Sequence, residues 1–151
     1  MPTMFDAKRR HDLLTRLRRL DPNREPLWGR LTARQMPPHL IDQMRITLGE
    51  VVVKQRLSSF PVRYPPLRQA ALYWLPWPKG RIQGPAEGFL SQPTEWNADL
   101  DTLEGLVERF VQRGSGASSW PEHPAFGRLN GREWGVFCYR HFEHHISQFG
   151  G

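Results

Sequence analysis

Apolar residues recur with a helical period in four stretches of the chain. In residues 5–20, Leu13, Leu14, Leu17 and Leu20 form one stripe, while Arg16, Arg18 and Arg19 take the other faces. Asp21-Pro22-Asn23 ends that helix, because proline cannot continue the backbone ladder and its neighbours favour turns. The second stripe is Leu40, Met44, Thr47, Leu48 and Val51. Just upstream, Thr32 and Gln35 have the spacing of a capping box, but Pro37 and Pro38 then remove two backbone donors. Either the helix restarts at the proline pair, which a first turn tolerates, or its first turns are distorted. The third helix covers residues 94–113, with Trp96, Leu100, Leu103, Leu106, Val107, Phe110 and Val111 in period and Gly114 as the stop. The fourth runs from Arg132 to Phe149, with Asn130 and Glu133 framing its start.

Between the stripes the chain is rich in breakers. Ser58-Ser59-Phe60-Pro61 and Tyr64-Pro65-Pro66 precede a short helix, Leu67 to Leu75, which Pro76-Trp77-Pro78-Lys79-Gly80 stops. Residues 79–94 read as a long loop, 114–119 as a linker, and Trp120-Pro121-Glu122-His123-Pro124 as a compact turn. No alternating strand of comparable length occurs. The pattern predicts an all-α protein: four substantial helices, one short helix and long crossover loops arranged as a bundle, in a single domain over residues 1–151.

Composition narrows the setting. Hydrophobic content of 38% with 24% charged residues fits a soluble globular chain rather than a disordered one. The one cysteine, Cys138, excludes an intrachain disulfide framework and fits a reducing compartment. No apolar run has transmembrane length, and Met1 to Arg10 lacks the apolar core of a signal peptide, so a cytoplasmic protein without a membrane partner is expected. The net charge of +6 is concentrated in residues 1–35, which hold nine Lys/Arg against four Asp/Glu. With no base-reading motif beside it, this region reads as a solvated helix face, and nucleic acid is not expected as a partner. A homodimer is compatible with this reading.

The candidate chemistry lies in the histidines. Three of the six, His141, His144 and His145, fall within five consecutive residues. At ~100° per residue His145 lies ~40° round the helix from His141, and His144 ~60° to the other side. The spacing therefore pairs His141 with His145 and also allows His141 with His144. Trp134, Phe137 and Cys138 share this face, which should look inward. Histidines entering an apolar interior need partners, either backbone carbonyls or a divalent metal. His39, one turn ahead of Gln43 and near Asp42, leads as a third ligand. His11 reads as exposed and His123 as a loop residue. Cys138 is a rival fourth ligand, but its position a turn away from His145 favours a packed small residue.

These residues also resemble a family. His141-Phe142-Glu143-His144-His145 followed by Gln148 resembles the terminal histidine motif of the DinB-like superfamily, which contains bacillithiol S-transferases and mycothiol-dependent maleylpyruvate isomerases. Trp28 to Thr32, His39 to Gln43, Pro76 to Gly80, His123 to Gly127, Trp134-Gly135 and Tyr139 to His141 extend the likeness to an uncharacterised branch, from about residue 10 onward. The resemblance implies a four-helix bundle holding a divalent metal, often zinc or nickel, on His39, His141 and His145. His144 is then a neighbour, and Asp42 or Gln43 orients a ligand. It further implies a metal-dependent thiol S-transferase, in which a low-molecular-weight thiol attacks an electrophile. Arg45 or Lys79 would receive the thiol's carboxylates; from the loop's residues alone, Lys79 and Arg81 read either as anion contacts or as plain solvated charges. The alternative is a non-enzymatic, metal-stabilised or stress-associated binding protein.

Overall fold

The computed structural model describes residues 1–54, 61–80 and 84–151. The breaker run at Ser58-Ser59-Phe60 and the anion-contact candidate Arg81 lie outside the described residues. Those described are mostly helical: α1 (Ala7–Arg18), α2 (Met36–Leu48), α3 (Leu67–Gln69), α4 (Trp96–Arg113) and α5 (Gly131–Gln148). One two-stranded antiparallel sheet, β1 (Glu122–His123) with β2 (Gly127–Arg128), interrupts them where a plain turn was expected. No helix among the described residues is long and apolar enough to cross a membrane.

Local chemistry sets the boundaries. Asp6 starts α1 by accepting the Arg9 N–H at 3.1 Å, and Glu95 starts α4 by accepting that of Ala98 at 2.9 Å. Asn130 and Glu133 close a reciprocal capping box on α5, each bond 2.9 Å long. Thr32 and Gln35 form the same device, but around a single 3-10 turn, Ala33–Gln35. Helix α2 then begins at Met36, so Pro37 and Pro38 fall in its first turn, where backbone N–H groups have no intrahelical acceptor. The prolines therefore leave the helix undistorted and His39 in place. Gly49, at φ 81°, ends α2 in the left-handed conformation, so Val51 lies beyond the helix. Helix α3 continues as a π turn, Ala70–Trp74, in which the Leu75 N–H reaches back to the Ala70 carbonyl at 2.8 Å.

Four long helices share one core. Helix α2 packs on α4 and α5, and α1 packs on both as well. Leu13, Leu17, Leu40, Met44, Leu100, Leu103, Phe110, Trp134, Phe142 and Ile146 are all at most 1% exposed. Each contributes ~1.5–3 kcal/mol through burial, whereas an exposed ion pair contributes ~0–1 kcal/mol. Packing therefore decides which faces turn inward. Two cations of the basic start meet acids of other helices: Arg16 grips Glu143 bidentately at 2.8 Å, and Arg18 bonds Glu104 at 2.6 Å and also Asp101. Gly135 lets residues 3–5 lie directly on α5, since a Cβ there would come within 2.3 Å of Thr3 Oγ1 and 2.7 Å of Phe5 Cδ2.

Candidate metal centre

The first turn of α2 and the last turns of α5 meet at three histidines. Their ligating atoms all lie within 4.8 Å of one another. His141 Nε2 stands at the middle, 3.2 Å from His39 Nε2 and 3.0 Å from His145 Nε2. His39 is buried; His141 and His145 are partly buried, although Nδ1 of His141 is closed off from solvent.

The outer nitrogens determine what the inner ones present. His39 Nδ1 lies 2.6 Å from the Gly88 carbonyl oxygen, which can only accept, so Nδ1 carries the hydrogen and Nε2 a lone pair. His145 Nδ1 lies 2.9 Å from Gln148 Oε1. The orientation of that amide is set by its other end, because Gln148 Nε2 donates to the Trp28 carbonyl at 2.7 Å. His145 Nδ1 is therefore also the protonated nitrogen, and its Nε2 also bears a lone pair. A single N–H on His141 Nε2 can answer one of the two lone pairs facing it, never both. A cation between them answers all three. Nitrogens on one tetrahedral zinc, with ~2.0–2.1 Å bonds, are ~3.3 Å apart, close to the two short separations seen here. Partners on the far ring nitrogen, as supplied by Gly88 and Gln148, are the usual support of a metal-bound imidazole.

Protonation agrees with this arrangement. Burial, reinforced by His39, pushes His145 down to about 3. Burial, with His145 and His39 close by, holds His141 well below the ordinary histidine value. Burial also lowers His39, against the opposing pull of the Gly88 carbonyl and Asp42. Near neutral pH all three are neutral, the form that coordinates a cation.

An aromatic wall surrounds the cluster. Phe89 stacks on His39 with ring centroids 4.4 Å apart, and Phe137 and Trp77 lie 5.6 and 6.2 Å from His141. His141 Nδ1 has no hydrogen-bond partner among the described residues, so on that side packing holds the ring. Trp77 is brought in by the π turn. Arg140, next to His141, donates to the carbonyls of Ala71 at 3.0 Å and Leu72 at 2.6 Å, and also to that of Leu75. The Trp77 indole N–H shares the Ala71 carbonyl at 3.2 Å.

The other sequence candidates fall elsewhere. The Asp42 carboxylate accepts the Ser91 N–H at 2.7 Å and hydroxyl at 2.6 Å, so it pins the segment that carries Gly88 instead of touching a ring nitrogen. Gln43 turns its amide to Thr47 Oγ1 at 3.4 Å. Arg45 donates to Ser91 Oγ at 3.3 Å. Cys138 is fully buried, 3.8 Å from Thr47 Oγ1, and burial pushes its thiol up to about 12; it is outside the cluster. His144 is outside it too, edge-on to Trp28. His11 is exposed. His123 is buried, with Nδ1 accepting the N–H groups of Ala125 and Phe126 at 3.0 and 3.1 Å. The residues that orient the rings, Gly88 and Gln148, were not assigned that role from the sequence. Gln148 has a signal, one helical turn after His145. A backbone carbonyl in a long loop has none.

Comparison with models of protein families, with curated proteins and with solved structures finds no match to this chain.

Proposed function

We propose that this chain is a divalent-metal protein built as a four-helix bundle of the DinB-like type, with His39, His141 and His145 as ligands to zinc or nickel and thiol S-transfer as its reaction. The observation that carries the reading is the convergence of three Nε2 atoms, two of them set as lone-pair donors by Gly88 and Gln148. Three protein ligands are the count of a catalytic site, one fewer than a closed structural site. A divalent ion held there supplies Lewis acidity, which lowers the pKa of a thiol or water that reaches it.

The protein's own residues supply orientation and exclusion of water. Gly88 and Gln148 fix two rings; Phe89, Phe137 and Trp77 cover the cluster and lower the local dielectric. Asp42 acts at one remove, by holding Ser91 and hence the segment that reaches His39. The substrates under this reading are a low-molecular-weight thiol and an electrophile, with the thiol sulfur as nucleophile.

The test has two stages. Protein purified without added metal should take up one zinc or nickel ion per chain by elemental analysis. It should then accelerate conjugation of one or more small thiols to a chromogenic electrophile. Metal uptake without thiol activity would replace the enzyme reading with that of a metal-stabilised binding protein. Absence of uptake would overturn both.

A further inference from the structure

One stretch of the chain carries a charge equal to the whole excess. Residues 51–86 hold six Lys/Arg and no Asp or Glu, while the remaining fifteen Lys/Arg equal the fifteen Asp/Glu. The same stretch turns apolar side chains outward. From Leu67 to Trp74, α3 and its π turn bury only Leu72. Trp74 is 75% exposed, Leu75 53% and Leu67 43%, and Tyr64, just ahead of α3, is exposed as well. A single exposed apolar residue is ordinary, but four on one short segment mark an interaction surface.

The surroundings of this face are cationic. Arg68 lies on the segment and donates to the Arg128 carbonyl at 3.0 Å. Arg140 donates to the carbonyls of Ala71 and Leu72, and Arg132 interacts electrostatically with Tyr73. Arg63 precedes α3; Lys79 follows it, exposed, with Nζ 4.3 Å from the centroid of the Trp28 ring. Among the described residues, the acids in contact with these six cations are Glu122, paired with Arg63 and Arg128, and Glu133, 4.0 Å from Arg68. Positive charge therefore prevails around the face. A second copy of the chain docking there would set like charges against each other, whereas an anionic surface is attracted. Nucleic-acid bases stack on rings but leave leucines in water. A bilayer surface takes both: leucines enter the acyl boundary, and tryptophan sits at headgroup level with its N–H solvated.

We infer that Leu67, Trp74 and Leu75 form a docking face for an anionic phospholipid surface, with the surrounding cations supplying the attraction to its headgroups. Docking of this kind needs no spanning helix and replaces the expectation of no membrane partner with a peripheral one. It uses neither the metal nor the thiol reading and stands or falls apart from them.

The experiment is flotation of the full-length protein with vesicles of phosphatidylcholine alone and of equimolar phosphatidylcholine and phosphatidylserine. The protein should bind the second and not the first, and high salt should weaken binding. Trp74→Ala should lower affinity about tenfold, Leu67→Gln should act in the same direction and Trp74→Phe should keep most of it. Lys79→Glu, which reverses one charge, should also lower it by about tenfold or more. Circular dichroism should show all four variants as helical as the natural protein. Binding to neither vesicle, or equally to both, overturns the inference. So does undiminished binding of Trp74→Ala, which would place the lipid on another basic surface such as α1. A single-stranded oligonucleotide that binds in a Trp74-dependent way while vesicles do not, or a dimer that Trp74→Ala dissociates, overturns it too, in favour of nucleic acid or a second copy on this face.

Discussion

Gln148→Leu isolates the orientation of one ligand without deleting any. The side chain is only 4% exposed and leucine nearly matches its volume, so packing is largely kept and no water replaces the amide. Two bonds go: the 2.9 Å bond from His145 Nδ1 and the 2.7 Å bond to the Trp28 carbonyl. Each buried group left unanswered costs ~1–3 kcal/mol, a term that falls on the fold. Metal affinity suffers separately, because His145 is then free to place its hydrogen on Nε2 and withdraw the lone pair. Loss of such a partner costs ~10–100-fold in affinity, or ~1.4–2.8 kcal/mol. Competition with a chromophoric chelator at neutral pH measures that term, and urea denaturation of metal-free protein measures the other. Gln148→Glu should separate them further: the carboxylate still accepts from His145, so affinity holds, but it now faces the Trp28 carbonyl and weakens the fold. If Gln148→Leu binds zinc within twofold of the natural protein, the tautomer reasoning is wrong.

Alanine at His39, His141 or His145 should each greatly reduce metal content by elemental analysis, while His144→Ala and His11→Ala should retain it. Gly29→Ala meets both a positive φ and a Cβ 2.9 Å from Gln148 Nε2, so a stability loss of ~1–2 kcal/mol together with weaker metal binding is expected. Cys138, its thiol raised to about 12 by burial, should react slowly with a thiol reagent until denaturant is added; fast labelling of native protein would place it at the surface. Burial pushes His123 down to about 3, below the ~6.5 of an unfolded histidine, so the unfolded chain binds the proton first. Metal-free protein should therefore lose stability as pH falls from ~6.5 towards 3, by up to ~1.4 kcal/mol per unit from this residue, and His123→Phe should make the slope shallower.

The long helices were legible because their signal is periodic. Leucines and aromatics spaced at 3.6 residues appear in α1, α2, α4 and α5, with boundaries off by one to three residues where caps decide them, the largest at Val51 beyond the Gly49 cap of α2. The helix wheel offered His141 with either His145 or His144, and the resemblance, not the spacing, named His145 and His39 together; Pro37 and Pro38, which could have shifted His39, fall in the first turn of α2. The orientation of the three rings was less accessible. Asp42 lies one turn from His39, as an orienting carboxylate should, yet a serine 49 residues further on satisfies it. Sequence distance carries no information on such a contact. The π turn and the short sheet were missed for a related reason: two residues of pairing, or one widened turn, leave no period to detect, and tertiary contacts such as Arg140 with the Ala71 carbonyl hold them in place.

His39 and His141 are separated by 102 residues, on the second and the last helix. A chain emerging from the ribosome exposes α2 long before α5 exists, and no nascent chain that ends before His145 contains the full set of nitrogens. The cluster therefore has no early or partial form during synthesis. It comes into being only when α5 docks against α2, and its His39 ring is oriented only with the connection that carries Gly88 in place. Any property that depends on the cluster counts molecules in which α5 has docked, and in refolding it should arrive with the slowest phase of helix docking, after helical content has been regained.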